Sequence, residues 1–300
     1  MSEYRIVSDA SGPLLWIERT SSGSSIETYV VENGNSLGAS QADDWDIALQ
    51  ELQKWEAFQG KGRLHIPTLG HGEFHPRIDR FSRDAGDYAS RYRQHHARER
   101  QATHLAALLL FERLANLLEV IEPVEANSKT FGHLNRQLLI LACTEVEAAW
   151  RGILKANGYS SSKNRFTTND YVKLLAPMRL SEWEVKLTHG SGWPAMQPFR
   201  NWSAVSPTES LDWYNAYNLV KHDREDQLPR ASLENVLNAM AAVAIMAWAS
   251  FGELVVCKES VPLAALLEPT RRPSWAPEEV YYGPRPGPTT PQWTPVNLRF

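Results

Sequence analysis

Trp213-Tyr-Asn-Ala-Tyr-Asn-Leu-Val-Lys-His-Asp-Arg224 is the stretch on which the reading of this chain turns. It puts three aromatic rings, two amides and an ion-forming run into one short span. Just ahead of it, Ser206-Pro207-Thr208-Glu209 has the S-x-x-E spacing of a capping box. Proline there would take the first helical position, where a missing N–H costs nothing. The spacing therefore predicts a helix from near Pro207 to near Arg224. On such a helix Asn215, Asn218 and His222 line one face, with Tyr217 and Lys221 on the adjoining one. A polar face carrying a histidine on an aromatic helix has two readings, chemistry or a satisfied buried network.

The neighbouring segments read as long helices. Downstream, Ser232 to about Cys257 is almost wholly apolar, interrupted by Asn238, Ser250 and Glu253. Placing Glu253 in lipid would cost a few kcal/mol, roughly 3, with little leucine to offset it. That segment is expected to be a central helix surrounded by protein. Upstream, Thr130 to Asn157 is helical with Gly158 as its stop. Leu134, Leu138, Leu141 or Ala142, Glu145, Ala149 and Ile153 share a face, so Glu145 stands in an apolar stripe. A carboxylate facing the interior must find a partner or stay protonated. Glu147 is out of phase with that stripe and is expected to pair with Arg151 on the surface.

Asp87 to about Ile121 forms a further long helix. Its first half, Arg91-Tyr-Arg-Gln-His-His-Ala-Arg-Glu-Arg100, is basic and aromatic. This is either a solvated helix face or a phosphate-contacting patch in which Arg91 and Arg93 meet a nucleic-acid backbone. Asn169–Leu175 is a short helix and Trp183–Leu187 is extended. The loop 159–168 carries Lys163 and Arg165 outward. His189-Gly-Ser-Gly-Trp-Pro194 lacks the G-x-S-x-G elbow and its strand-to-helix setting, so a serine-hydrolase reading is set aside.

The first sixty residues differ. Tyr4–Val7, Pro13–Arg19 and Ser25–Val31 are β-branched and aromatic runs separated by Ser/Gly clusters, which predicts a small antiparallel sheet. Trp45, Ala48, Leu49, Leu52, Trp55 and Phe58 then follow a helical period. Between Gly60 and Gly86 lie His65, His71 and His75, but Gly72 and Pro76 break the helix that metal-ligand spacing would need. Beyond Pro262 the chain is proline-rich, and Trp275, Tyr281, Tyr282 and Trp293 are expected to drape over the helical body or a partner. The organisation is thus a mainly α protein: a small α+β region over 1–62, a linker over 63–86, a helical domain over 87–260 and an extended tail over 261–300.

Composition narrows the function classes. Of 300 residues, 43% are hydrophobic, enough for a large core, and the net charge of −4 leaves any nucleic-acid contact to a local patch. The two cysteines, Cys143 and Cys257, fall in apolar helical runs and imply neither a disulfide scaffold nor a zinc site. No metal or other cofactor is expected. The opening residues lack the basic-then-apolar layout of a secretory leader, and the expected location is the cytoplasm, away from membranes.

Taken together, the region Asp87–Cys257 resembles a HEPN domain (higher eukaryotes and prokaryotes nucleotide-binding). The resemblance rests on two long helices, a capped helix bearing a polar-histidine motif and a final apolar helix. Family members with ribonuclease activity carry Arg, a polar residue such as Asn, three residues, then His. In Tyr217-Asn218-Leu-Val-Lys-His222 the Asn and His are in register, and Tyr217 stands where the Arg would be. The resemblance implies metal-independent RNA cleavage through attack of the 2′-oxygen, leaving a 2′,3′-cyclic phosphate. His222 would be the acid/base, Asn218 would orient it or the phosphate, and Lys221 or Arg224 would supply the cation. Tyr217 and Asn215 would touch substrate, and Glu145 resembles the acidic position of some members. The family also implies a homodimer with motif helices paired and their aromatics in the interface, a toxin or phage-defence role, and a cognate antitoxin or other partner protein. The competing reading is a non-catalytic helical module, in which Tyr217, Asn218 and His222 form a structural or ligand-binding network.

Overall fold

A computed structural model of the protein describes residues 3–9, 12–19, 26–32, 35–36, 41–42, 47, 50, 63–70, 72–80, 95–161, 165–188, 192–253, 256, 261–282 and 292–300. The chain divides into two compact units. One comprises 1–74, 80–95 and 274–296; the other comprises 75–79, 96–273 and 297–300. The protein is mainly helical, with small sheets.

The first unit is built on strands β1 (Glu3–Asp9), β2 (Gly12–Arg19), β3 (Ile26–Glu32), β4 (Asn35–Ser36), β5 (Gln41–Ala42) and β6 (Arg63–His65). They pair in the order β4-β3-β2-β1-β6, with β5 also on β3. The pairings are antiparallel, and β1 carries an irregularity between Val7 and Ser8. The three runs expected as strands are the three long strands of this sheet. The helical period from Trp45 to Phe58 lies outside the described residues.

The tail differs from the single draped segment expected over 261–300. Its stretch 274–296 belongs to the strand-rich unit, where Tyr281 and Trp293 bury against Phe74. Strand β7 (Glu73–Phe74) pairs in parallel with β10 (Thr294–Pro295), and the Arg80 guanidinium lies 4.8 Å from the Trp275 ring centre. An extended, proline-rich segment has no core of its own, so its large rings are buried against rings elsewhere in the chain.

The longest described helices of the second unit are α1 (Ala97–Leu118), α2 (His133–Ala156), α3 (Asp212–His222) and α4 (Leu233–Phe251). Helices α1, α2 and α4 pack against one another, and α3 packs against α2 and α4. The end of α2 is as expected: Asn157 caps it and Gly158 follows at φ 74°. Its buried face is rotated from the expected stripe. Leu138, Leu139, Ala142, Val146, Trp150 and Ile153 are buried, while Leu134 is 60% exposed.

Helix α4 is buried along nearly its whole length, which is why its sequence shows little periodicity. Ser232 caps it, its hydroxyl accepting from the Asn235 N–H at 3.3 Å. Among the described residues α4 alone is long and apolar enough to cross a membrane, and 83% of that window is buried within the protein. Of the segment 183–187, expected to be extended, 184–187 is strand β8 (Glu184–Leu187), antiparallel to β9 (Leu267–Arg271).

Candidate functional site

Helix α3 starts five residues later than the spacing suggested. Residues 206–210 form turns instead, with Ser210 N–H on the Ser206 carbonyl at 2.9 Å. The Trp202 indole donates to the Pro207 carbonyl at 2.9 Å, which ties Pro207 into the turn. The helix also stops earlier. Asp223 is extended (φ −136°) and its carboxylate accepts from the Asp226 N–H, capping a separate short helix, Arg224–Gln227. Arg224 therefore does not share a helix with His222, and its side chain lies outside the described residues.

The aromatics of α3 are placed by the core. Trp213 and Tyr214 pack around Trp150 of α2, with ring centres 6.3 and 5.5 Å away, and Trp202 stacks on the same indole at 4.8 Å. Trp213 and Tyr217 are each 2% exposed and Tyr214 is buried. These rings fill the unit's own interior, which corrects the expectation that they face a second copy of the chain. Burying three large rings supplies far more stabilisation than the helix's propensity could.

Two polar contacts are made by the buried tyrosines of α3. The Tyr214 hydroxyl donates to Glu147 Oε1 at 2.6 Å, and Glu147 also faces Arg151 at 3.9 Å. The Glu147–Arg151 pair is the expected one, but Glu147 is half-buried and anchored by a tyrosine. Burial, then the Glu147 carboxylate, push the Tyr214 phenol pKa far up, so it remains a donor. Four residues on, Lys221 Nζ donates to the Tyr217 hydroxyl at 3.0 Å and lies 5.0 Å from that ring's centre. The bond to Tyr217 is the largest cause holding the Lys221 ammonium above its ordinary pKa, with the Glu147 charge adding to it.

The remaining motif residues face outward. Asn215 and Asn218 are half-buried, and His222 is exposed in the last turn. Arg136 of α2 donates from Nε to the Val220 carbonyl at 3.2 Å. That cation complements the C-terminal end of α3, where carbonyls lack helical partners.

Glu145 is elsewhere. It lines a cavity with Arg77, Thr103, Ala149, Ser250 and Phe251, none of them on α3. Burial raises its pKa, and the positive charge of Arg77 partly opposes the rise. Glu145 and Glu147 are two residues apart on α2 and so point about 200° apart. A glutamate facing Tyr214 cannot share a side with one facing Arg77. The expected grouping of Glu145 with His222 is thus not formed.

Arg77 is the residue that sequence reasoning missed most completely. It is 8% exposed, has a left-handed backbone (φ 58°), and its guanidinium carbon is 5.6 Å from the Phe251 ring centre. The neighbouring chain fixes it: Asn157 Nδ2 donates to the Pro76 carbonyl at 2.8 Å, and Asp79 N–H donates to the Ala249 carbonyl at 2.8 Å. Nothing in a single sequence marks a loop arginine as buried.

Arg91, Arg93, Lys163 and His71 lie outside the described residues. His65 is hydrogen-bonded to Glu278 at 2.6 Å. Among the described residues no group of three His, Cys, Asp or Glu gathers to hold a metal. Cys143 is buried, and burial, reinforced by Glu147, pushes its thiol pKa well up, so it is unsuited to nucleophilic work. Compared with known proteins, the chain matches no protein-family model, no curated protein and no solved structure.

Proposed function

We propose that the helical unit is a HEPN-like bundle acting as a non-catalytic binding module. One observation carries this reading. At the position of the motif arginine stands Tyr217, buried and hydrogen-bonded to Lys221, the cation nearest in sequence to His222. A phosphorane needs a fixed cation and an acid/base converging on it. Here Tyr217 engages Lys221, while the His222 side chain is exposed and makes no hydrogen bond or ion pair among the described residues. Tyr214, Tyr217, Glu147 and Lys221 then form a network that docks α3, and the exposed end bearing Asn218 and His222 is the surface offered to a ligand or a partner.

The exposure of His222 favours a second reading, the metal-independent endoribonuclease of toxin or phage-defence type, completed by a homodimer. It requires a cation from outside α3. Growth and bulk RNA integrity after induction of wild type and His222→Ala distinguish the two. Intact RNA and equal growth are expected for a binding module. Toxicity with RNA fragmentation, both absent in His222→Ala, would establish the nuclease and overturn the binding reading.

A further inference from the structure

Asn157, Gly158 and Tyr159, the three residues that follow α2, each meet the segment 297–300. Asn157 is 3% exposed, and both ends of its side-chain amide are engaged. Its Nδ2 donates to the Pro76 and Ile153 carbonyls at 2.8 and 2.9 Å, and its Oδ1 accepts from the Leu298 N–H at 3.0 Å. Gly158 leaves the space that Asn297 fills, since a Cβ there would fall 2.8 Å from Asn297 Nδ2. The Tyr159 hydroxyl donates to Asp170 at 2.7 Å, which fixes a ring that Phe300 meets edge-on at 5.3 Å. Leu298 packs on the core of the unit, while Asn297 and Arg299 are exposed. Leu298 and Phe300, two residues apart, thus both face the unit, which is the period of an extended chain.

We propose that this groove is a recognition site for an extended acidic peptide of Leu-x-Phe pattern, occupied here by the chain's own 297–300. A main-chain hydrogen bond with alternate side chains in pockets is how extended peptides are recognised, the bond giving affinity and the side chains specificity. Charge decides what the better occupant carries. Residues 155–175 contain Lys155, Lys163, Arg165 and Lys173 against one carboxylate, Asp170, which is engaged by Tyr159, Ser161 and Thr167. Lys173 Nζ lies 5.5 Å from the Tyr159 ring centre, Lys155 Nζ lies 5.9 Å from that of Phe166, and both lysines are exposed. To this basic rim the segment 297–300 brings Arg299 and no acidic side chain. Like charges disfavour it, and a partner with Glu or Asp between its Leu and Phe reverses the sign. The segment is held by one main-chain bond, a half-buried Leu298 and a Phe300 still 38% exposed. Its hold therefore rests on the tether, which acts at an effective concentration on the order of millimolar, and an acidic competitor displaces it. The groove lies at the end of α2, so the proposal goes beyond the reading of α3 and does not rest on it.

The test is an NMR titration of the full chain with two amidated peptides, one of the sequence 295–300 and one carrying Arg299→Glu, across a salt series. Wild type is compared with Leu298→Ser/Phe300→Ala, which vacates the groove while keeping the chain whole. The vacated variant is expected to bind both peptides, with signals of 157–159 shifting. It should bind the Arg299→Glu peptide at least about threefold more tightly, the size expected of exposed charge pairs, and that preference should fade at high salt. Wild type should bind each peptide at least about threefold more weakly, because its own segment competes. No binding by the vacated variant, equal binding by wild type, or an acidic preference that is absent or indifferent to salt would overturn the proposal. A second measurement needs no vacated groove. In the whole chain carrying Arg299→Glu, hydrogen exchange at the Leu298 N–H should slow by at least about threefold, and unchanged or faster exchange would equally overturn it.

Discussion

The Lys221 ammonium and the Tyr217 hydroxyl are 3.0 Å apart, the lysine donating and the tyrosine accepting, one helical turn from each other on α3. Because the Tyr217 ring is buried, this bond draws the lysine head back along the helix. It is a surface-edge contact, so its stability contribution is modest. Tyr217→Phe keeps the ring and removes the acceptor, and is expected to cost about 0.5–1.5 kcal/mol in chemical denaturation. The lysine is released at the same time, so Lys221→Ala in the Tyr217→Phe background should add almost nothing. A large additional loss would mean that Lys221 has another essential partner.

The second contact of α3 is the stronger. Tyr214→Phe removes the donor that meets the half-buried Glu147 carboxylate, and the remaining cation, Arg151, is 3.9 Å away. Hydrogen bonds to charged groups contribute about 1.5–3 kcal/mol, and that is the loss expected. Glu147→Gln should recover part of it in the double variant, because an amide is less costly to leave without this partner than a carboxylate. A double-mutant cycle with additive losses would contradict the pairing.

Gly152 and Arg77 make a third pair. A Cβ on Gly152 would fall 1.9 Å from Arg77 Nη1, so the glycine makes room for the guanidinium. Gly152→Ala in the middle of a helix would ordinarily stabilise by up to about 1 kcal/mol. Here that gain is expected to be reduced or lost, because the end of the Arg77 side chain must shift to admit the methyl group. Truncation of the arginine removes the clash. In the Arg77→Ala background, Gly152→Ala should therefore stabilise more than in wild type, and an equal effect in both would place the clash with another neighbour.

Glu145 gives a pH dependence. Its folded-state pKa is raised, mainly by burial, so the folded protein holds a proton that the unfolded chain releases first. Stability from this group is then fully present below the unfolded carboxylate value and is lost as pH rises through the folded one. Glu145→Gln mimics the protonated form. It should raise Tm at neutral pH and leave it nearly unchanged in acid. A lower Tm for the glutamine variant at neutral pH would show that attraction to Arg77 outweighs burial.

What the sequence disclosed and what it hid divide along physical lines. The long strands of the first sheet and the course of α2 and α4 were legible because alternation, apolar runs and a stop glycine such as Gly158 are local signals. The start of α3 was misplaced because Ser206 and Pro207 fit a helix cap and a turn equally well, and Trp202, reaching back to the Pro207 carbonyl, decided for the turn. The pairing of Tyr214 with Glu147 joins residues 67 apart, and no local pattern announces such a bond. Glu145, expected in an apolar stripe, is half-buried and lines a cavity. Its neighbour Arg77 comes from a loop with no periodicity, so the cavity they share was not legible.

The central claim is that α3 lacks the cation needed beside His222. The most direct measurement incubates purified wild type and His222→Ala with labelled single-stranded RNA, without added metal, and determines the chemistry of any new 3′ ends. Unchanged RNA with both proteins is the expected result. Fragments ending in 2′,3′-cyclic phosphate, produced by wild type and absent with His222→Ala, would contradict the claim and place a catalytic cation where none is proposed.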